Sequence, residues 1–348
     1  MFSSNKFPVL HKTVVLTGGS RGMGLAVARQ LAEKGANIVI IAREEQRLIE
    51  ALKHIQAGAL HPESQRFHHI SADLTLSAEA VRVIDEVEAW NSGPPDIVWC
   101  CAGSPLLTLF IDTPVSQLDV QMSTNYFTSA YMAHATLTCW LRTSRLKTTL
   151  SKTTLSASTD EQPINTAASS QLTPRHLIFT SSLAAFFSLA GYAPYTPGKL
   201  ALRGLADTLS QEMNLYAAAH PNEPPVRIHT IFPSSILGEA FDQENKIKSD
   251  VTRMLETSVV ESTSETIAYK SIKGLESGEE LIMTNFSGSL LKQTMTGATR
   301  RGIWTVFRDS ILASISTVVV HAVRVDMDRK VRQFGRKFGP SGMKTECP

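Results

Sequence analysis

The sequence predicts an α/β fold in which a doubly wound parallel sheet carries helices on both faces. Residues 37–42 and 96–101 are short and almost continuously apolar, which is typical of strands buried on both faces. Segments with apolar residues at helical spacing, such as residues 78–90, alternate with these runs. Because repeated β-α-β units are joined by right-handed crossovers, this alternation predicts a parallel sheet.

The predicted elements follow one another in regular order along the chain. We predict strands at residues 13–16, 37–42, 67–70, 96–101, 175–180 and 226–232. We predict helices at residues 23–34, 44–56, 78–90, 115–141 and 195–219. Gly35 follows the first of these helices, where a glycine favours termination.

The chain divides into a large domain, an insertion within it and a tail. We predict that residues 1–300 form one α/β domain and that residues 301–348 form a C-terminal tail. Residues 143–173 are dense in Ser and Thr and lack periodicity, which predicts a flexible surface insertion whose role the sequence leaves open. Residues 234–300 lie where this fold usually builds its substrate pocket, although a packed lid has the same pattern.

Composition narrows the class of protein. Hydrophobic residues make up 43% of the 348-residue chain, which is enough for a sizeable core. The net charge of +2 argues against a nucleic-acid partner. The four cysteines have neither metal-ligand nor disulfide-framework spacing, so we expect no bound metal and a reducing compartment. The N-terminus lacks a long apolar stretch, so we expect no cleaved signal peptide.

A glycine-rich turn, TGGSRGMG at residues 17–24, follows the first predicted strand and precedes the first helix. Gly18 permits a tight turn, Gly22 lets the backbone approach a pyrophosphate, and Gly24 lets the helix pack close to the sheet. The free N–H groups at the helix start bind an anion. This context predicts a dinucleotide site in a Rossmann-type fold. An ordinary glycine-rich turn is the alternative.

Two arginines indicate which dinucleotide binds. Arg21 lies in the glycine turn, and Arg43 ends the second strand, where NAD-binding folds often place an acidic residue against the ribose 2′-hydroxyl. Two guanidinium groups suit a 2′-phosphate instead, which favours NADPH over NADH. The alternative is that Arg43 is a solvated loop charge.

A candidate catalytic group begins the last predicted helix. Tyr195 and Lys199 are four residues apart, which places them on one helix face. A neighbouring ammonium is expected to lower the pKa of the phenol from its usual value of about 10. Ser182 lies after a strand end and is placed to bind a carbonyl oxygen. Without context, a pair of residues on a surface helix explains this spacing better than a catalytic pair does.

Together these residues resemble the motif set of the short-chain dehydrogenase/reductase family. The set comprises the glycine turn, Asp73, Ala102, Gly103, Asn125, Ser182, Tyr195 and Lys199 in the family's order. The resemblance implies that Tyr195 donates a proton to a ketone whose carbonyl is oriented by Ser182. It also implies that Lys199 binds the nicotinamide ribose and that Asn125 positions Lys199 through a water. The implied cofactor contacts are Gly18, Ser20, Arg21, Gly22, Gly24, Arg43, Asp73 against the adenine ring, Leu74, Ala102, Gly103, Tyr195, Lys199 and Ile236.

The chain departs from the family pattern in two turns. The usual Asn-Asn-Ala-Gly is Cys-Cys-Ala-Gly at residues 100–103, which we expect to remove the side-chain bonds that brace this turn. The usual Pro-Gly after the sixth strand is Pro233-Ser234, and Gly238 replaces a common threonine. Ser234 and Gly238 are therefore expected to alter the contacts that the family makes to the nicotinamide near Ile236.

Within the family, the chain is most similar to the fungal 3-ketodihydrosphingosine reductases, over roughly residues 12–337 apart from the insertion. The similarity is carried by residues 18–48, 96–131 and 175–216, the last including the variant YTPGK, and by the tail. It implies NADPH-dependent reduction of a long-chain sphingoid ketone, 3-ketodihydrosphingosine, to dihydrosphingosine in sphingolipid synthesis. Dimers and tetramers are common in this fold, so a homo-oligomer stays open.

The composition of the tail is consistent with an enzyme that acts on a lipid at a membrane. Residues 303–325 are largely apolar, but their uncharged part, residues 310–323, is shorter than the ~20 residues of a full span. Six basic residues against two aspartates occupy residues 324–337. This pattern predicts an interfacial or re-entrant anchor on the endoplasmic reticulum membrane, with the catalytic domain facing the cytosol. A C-terminal core helix or an oligomer contact is the alternative.

Other functions stay open at this point. A reductase of the same fold that acts on a steroid, a retinoid or a 3-ketoacyl chain is one alternative. The substrate loop and the tail are the regions that would distinguish these substrates from a sphingoid ketone. A catalytically silent cofactor-binding protein belongs to a different class, which the presence of Ser182, Tyr195 and Lys199 disfavours.

Overall fold

The computed structural model describes residues 5–154, 172–257, 261–294 and 302–344. These residues form a seven-stranded parallel sheet in the order β3-β2-β1-β4-β5-β6-β7. The strands are β1 (Thr13–Thr17), β2 (Asn37–Ala42), β3 (Phe67–Ser71), β4 (Ile97–Cys100), β5 (Arg175–Thr180), β6 (Val226–Phe232) and β7 (Leu281–Met283). The predicted doubly wound sheet is therefore confirmed. The sequence did not predict β7, because three residues are too few to show a pattern.

The helices lie between these strands and after the last one. They are α1 (Gly22–Ala32), α2 (Glu45–Gln56), α3 (Ser77–Asn91), α4 (Val115–Met122), α5 (Thr128–Thr154), α6 (Thr196–Ala219), α7 (Glu239–Ile247), α8 (Asp250–Glu256), α9 (Ser264–Ser277), α10 (Phe286–Thr294) and α11 (Ile303–Phe338). Helices α1, α2 and α9 pack on one face of the sheet. Helices α3, α5 and α6 pack on the other face.

The single helix predicted at residues 115–141 is wrong in two respects. A π-helical segment, Ser123–Phe127, separates α4 from α5, because one extra residue is accommodated in the turn that carries Asn125. Helix α5 also continues to Thr154, well into the predicted flexible insertion. Residues 143–154 are thus helical, while residues 155–171 of that insertion lie outside the described residues.

Apolar strands with both faces covered make the sheet the centre of the fold. All residues of β1 are buried, as are Ile38 to Ile41 in β2. Trp99 and Phe179 on β4 and β5 are fully buried, one toward each helical layer. Since β1 and β4 are parallel and adjacent, their carboxyl ends open at the same edge, where ligands bind in this kind of sheet.

The tail is one long helix, α11, which lies along the catalytic domain. Asp309 and Ser316 are buried although they lie in its apolar half. Ser316 Oγ donates a hydrogen bond of 3.4 Å to the Gln293 side chain on α10. Arg324 donates a hydrogen bond of 3.3 Å to the Ser188 carbonyl. Among the described residues, α11 is the helix whose length and apolar composition would suffice to cross a membrane.

Candidate active site

A cavity of about 1160 Å³ opens at the carboxyl edge of the sheet. It is lined by every predicted cofactor contact, Gly18, Ser20, Arg21, Gly22, Gly24, Arg43, Asp73, Leu74, Ala102, Gly103, Tyr195, Lys199 and Ile236, and by Ser182. Asn125 is fully buried behind this wall. The fold therefore brings together residues that are far apart in the sequence.

The glycine turn has the backbone that a phosphate cradle needs. Gly18 has φ +67°, and a Cβ there would lie 2.9 Å from the Ala102 backbone, so only glycine fits between the ends of β1 and β4. A Cβ on Gly24 would collide with the Gly18 carbonyl oxygen. A Cβ on Gly22 would meet nothing within 4 Å, so this glycine leaves open space at the start of α1. That space and the free N–H groups of α1 fit a pyrophosphate.

Arg21 and Arg43 are both exposed and both line the cavity. Arg43 follows β2, and its carbonyl accepts a hydrogen bond of 2.9 Å from Ser71 Oγ at the end of β3. Asp73 Oδ1 accepts hydrogen bonds from Thr75 N at 3.1 Å and Thr75 Oγ1 at 2.8 Å. These contacts fix the backbone on the side of the cavity where the adenosine end of a dinucleotide is expected.

The Cys-Cys turn after β4 is braced by a residue of β1. Thr17 Oγ1 accepts hydrogen bonds from Cys101 N and Ala102 N, each at 3.1 Å. Thr180 Oγ1 donates to Cys101 Sγ at 3.4 Å. The Thr17 hydroxyl therefore braces the turn through its backbone N–H groups, a contact that the sequence analysis did not predict.

Ser182, Tyr195 and Lys199 meet in the cavity wall. Ser182 follows β5 and caps a short 3₁₀ turn, accepting a hydrogen bond of 3.2 Å from Ala184 N, and its side chain acts to lower the pKa of Tyr195. Lys199 Nζ donates to the Thr180 carbonyl at 3.0 Å and lies 5.6 Å from the centroid of the Tyr195 ring. Pro197 is tolerated because it occupies the first turn of α6, where its missing N–H costs no helical bond.

Burial sets the protonation of this group. Burial raises the pKa of Tyr195, against a lowering by the Ser182 hydrogen bond, and the charge of Glu244 raises it further. Burial lowers the pKa of Lys199 to about 8. The pKa of Tyr195 is thus raised and not lowered as expected, because burial is the largest influence on it. Tyr195 keeps its proton at neutral pH, as a proton donor must.

Asn125 acts on the loop after β4. Its side-chain nitrogen donates to the Ser104 carbonyl at 2.9 Å, and its Oδ1 accepts from Ser104 N at 3.1 Å. Gln121, which the sequence analysis missed, accepts from Asn125 Nδ2 and from Leu106 N, each at 3.1 Å. A Cβ on Gly198 would lie 3.1 Å from Asn125 Cβ, so the glycine in YTPGK lets α6 approach the π-helical turn.

The end of β6 offers a free polar atom to a ligand. Ser234 Oγ is buried in the cavity wall and has no hydrogen-bond partner among the described residues. Its N–H donates to Thr284 Oγ1 at 3.2 Å. Ile236 lies beside it in the same wall. Serine in place of glycine therefore adds a hydroxyl without a hydrogen-bond partner among the described residues to the cavity wall at the end of β6.

A partly buried polar cluster beside the tyrosine was missed by sequence reasoning. Tyr192 donates a hydrogen bond of 2.5 Å to Glu256 Oε1, and Lys248 Nζ lies 3.0 Å from Glu256 Oε2. Lys248 Nζ also lies 3.7 Å from Glu244 Oε2. We call Tyr192, Glu244, Lys248 and Glu256 the acidic cluster. No motif marks it, because its members come from three separate segments.

The wall opposite the sheet is apolar. It is formed by side chains of α10 and α11, namely Leu290, Leu291, Val319, Val320, Val323 and Met327. The other side of α11 exposes large hydrophobic residues, including Ile303, Trp304, Phe307, Ile311, Ile315 and Val318. One helix thus contributes to the cavity and also presents an apolar surface outward.

Comparison with known proteins agrees with this geometry. The family model described as short chain dehydrogenase matches residues 12–148. The chain is 46% identical over 346 residues to 3-ketodihydrosphingosine reductase ksrA of Aspergillus fumigatus, covering 97% of this chain and 88% of that protein. It is 36% identical over 342 residues to 3-ketodihydrosphingosine reductase gsl-3 of Neurospora crassa, covering 97% and 87%.

The chain belongs to the short-chain dehydrogenase/reductase family, among the fungal 3-ketodihydrosphingosine reductases. A solved short-chain dehydrogenase/reductase from Mycobacterium ulcerans shares the fold, with a TM-score of 0.59 at 20% identity over 80% of this chain and 89% of that one. Membership of the family makes the chain an oxidoreductase that uses a nicotinamide dinucleotide. The predicted family is confirmed.

Proposed function

We propose that this reductase converts 3-ketodihydrosphingosine to dihydrosphingosine with NADPH, at the cytosolic face of the endoplasmic reticulum membrane, in sphingolipid synthesis. The observation that carries the proposal is the meeting of Ser182, Tyr195 and Lys199 in a cavity whose opposite wall is apolar. The relatives' names supply the substrate class. A long alkyl chain suits the wall made by α10 and α11.

The residues of the site divide the work of ketone reduction. When bound, NADPH supplies the hydride that reaches the carbonyl carbon. Ser182 and Tyr195 hold the carbonyl oxygen by their hydroxyl groups. Tyr195 gives its proton to that oxygen as negative charge develops there. Lys199 stabilises the phenolate that remains and binds the nicotinamide ribose. Asn125, whose Oδ1 lies beside Gly103 as the Lys199 amine does, would position Lys199 through a water.

The choice of NADPH rests on the two arginines at the adenosine end. Arg21 and Arg43 extend into the same cavity from the glycine turn and from the end of β2. Guanidinium groups bind a phosphate by paired, charge-assisted hydrogen bonds, whereas a 2′-hydroxyl needs an acceptor. Asp73 and Leu74 would contact the adenine, and Ile236 and Ser234 the nicotinamide.

Membrane association rests on α11. Its outward hydrophobic side chains and the basic residues after Val323 suit the surface of an anionic leaflet. Its buried Asp309 and Ser316 and its contacts with α10 favour a helix that lies on the membrane over one that spans it. In that arrangement, a lipid ketone reaches the cavity along the helix that forms part of its wall.

A neutral hydrophobic ketone is the second candidate substrate, because the apolar wall alone accommodates a steroid or an acyl chain. NADPH oxidation by detergent-solubilised protein distinguishes these substrates, when 3-ketodihydrosphingosine is compared with a steroid ketone and a 3-ketoacyl thioester. We expect a strong preference for the sphingoid ketone. Turnover of the other ketones alone would move the protein to another substrate class, and absence of any turnover would favour the silent cofactor-binding protein.

A further inference from the structure

The acidic cluster lies in the wall of the cavity beside the proton donor. Tyr192, Glu244 and Lys248 line the cavity together with Tyr195. The rings of Tyr192 and Tyr195 meet edge to face, with centroids 6.3 Å apart. The charge of Glu244, which lines the same cavity, raises the pKa of Tyr195. The cluster is therefore within reach of a substrate group adjacent to the reacting carbonyl.

The two carboxylates of the cluster differ in how fully they are engaged. Glu256 uses one oxygen to accept from Tyr192 and the other to bind Lys248 at 3.0 Å. Glu244 stands 3.7 Å from the same ammonium. The Lys248 side chain is 1% exposed, so it is held within the cluster and does not reach into solvent. Glu244 is thus the carboxylate with capacity for another cation.

The net charge of the acidic cluster also indicates that Glu244 can bind a further cation. Among these described side chains, one ammonium faces two carboxylates, which leaves a charge of −1 when both are ionised. Burial raises the pKa of Glu244 to about 7, with Lys248 opposing the rise and Glu256 adding to it. The ionised form of such a carboxylate is stabilised when a cation binds next to it, because the cation supplies the counter-charge that the cluster lacks.

The substrate in the proposed function carries such a cation. In 3-ketodihydrosphingosine, the carbon next to the carbonyl bears an amino group, which is protonated as an ammonium. This group must lie near the carbonyl oxygen, and hence near Tyr195 and the cluster beside it. Steroid ketones and ketoacyl thioesters have no cation at that position.

We propose that Glu244 binds the ammonium of the substrate and thereby selects amino ketones over neutral hydrophobic ketones of the same length. The proposal rests on the function proposed above. Lys248 acts as a positioning residue, because it neutralises Glu256 and holds Glu244 at the cavity wall. A charge-assisted hydrogen bond of this kind corresponds to a preference on the order of 10- to 100-fold.

The experiment compares two ketones that differ in one group. The wild-type protein and Glu244→Gln are assayed with 3-ketodihydrosphingosine and with 1-hydroxyoctadecan-3-one, which lacks the amino group. We expect the wild type to prefer the amino ketone in kcat/KM, and Glu244→Gln to lose that preference mainly through a higher KM. Asp242→Asn is the matched control, because it removes an exposed carboxylate from the same helix. This control is expected to keep the wild-type preference.

The outcomes separate this inference from the proposed function. A wild type that reduces neither ketone would overturn the proposed function. A wild type that reduces both equally well, or a Glu244→Gln variant that keeps the preference, would overturn only the role of Glu244. Glu244→Asp keeps the charge and is expected to retain part of the preference. Equal loss of preference in the Asp and Gln variants would also count against a charge-based role.

Discussion

Lys199 Nζ lies 5.6 Å from the centroid of the Tyr195 ring and donates to the Thr180 carbonyl at 3.0 Å. The lysine is therefore tied to the end of β5 as well as to its own helix. Burial lowers its pKa to about 8 and raises that of Tyr195, so near neutral pH the lysine is largely charged and the tyrosine keeps its proton. Both states suit a site that gives a proton to a ketone.

Replacing the proton donor tests this arrangement directly. Tyr195→Phe removes the hydroxyl and is expected to lower kcat by at least about 100-fold, since general acid catalysis typically contributes 10²–10⁴-fold. Binding of NADPH, followed by its fluorescence, should change little. Tyr269→Phe is the control, because Tyr269 is exposed on α9 away from the cavity. Full turnover by Tyr195→Phe would contradict the mechanism.

The pH dependence of the reaction should report Lys199. Its pKa is lowered to about 8, so the ammonium is present below that pH and is lost above it. We expect kcat/KM for NADPH, which reflects the free enzyme, to fall as pH rises through about 8. Lys199→Arg should move this fall to higher pH, whatever its absolute rate, because arginine stays charged. An unchanged descending limb in that variant would rule out Lys199 as its source.

Cofactor preference should depend on Arg43. Arg43→Ala is expected to weaken NADPH binding about tenfold or more while changing NADH binding little, because only NADPH carries the 2′-phosphate. Dissociation constants for both cofactors, from fluorescence titration, provide the measurement. Arg47→Ala is the control, since Arg47 is paired with Glu44 and lies on α2. Equal affinity of the wild type for NADH and NADPH would be inconsistent with the proposed cofactor.

The ionisation of Glu244 should make the free energy of unfolding depend on pH. Its pKa is about 7 in the folded chain against a usual 4.5, so the folded state holds this proton more tightly. The stability that results is fully present below pH 4.5 and is lost as pH rises toward 7, on the order of 3 kcal/mol in total. Glu244→Gln lacks this dependence. Urea unfolding at pH 5 and pH 8 should therefore show the variant gaining stability relative to wild type at pH 8. Parallel changes in both proteins would contradict the raised pKa.

Membrane binding should depend on the exposed side of α11. The double substitution Trp304→Ser and Phe307→Ser removes two large exposed apolar groups and is expected to weaken vesicle binding by at least about tenfold. Cosedimentation with vesicles of phosphatidylcholine and phosphatidylserine measures this loss. Leu215→Ser is the matched control, because Leu215 is equally exposed on α6. Unaltered binding of the double variant would place the membrane contact elsewhere.

Much of the site followed from local sequence signals. Gly18 and Gly24 were assigned from spacing, and the structure supports both, because a Cβ at either position would meet backbone. The bounds of β2, β5 and β6 were predicted residue for residue, because each strand has a mostly buried stretch rich in β-branched and aromatic residues. The π-helical turn at Asn125 was missed, because one inserted residue in a helix leaves little trace in apolar periodicity.

The sequence by itself determined the doubly wound sheet, the family, the glycine cradle and the positions of Ser182, Tyr195 and Lys199. These features depend on short segments whose apolar spacing and glycine content have local causes. Only the tertiary structure decided that Thr17 braces the Cys-Cys turn, that α11 forms part of the cavity wall, and that Glu244 lines the same cavity as Tyr195. Each of these is a contact between segments distant in sequence, and burial at such contacts sets the pKa values, which no local pattern encodes.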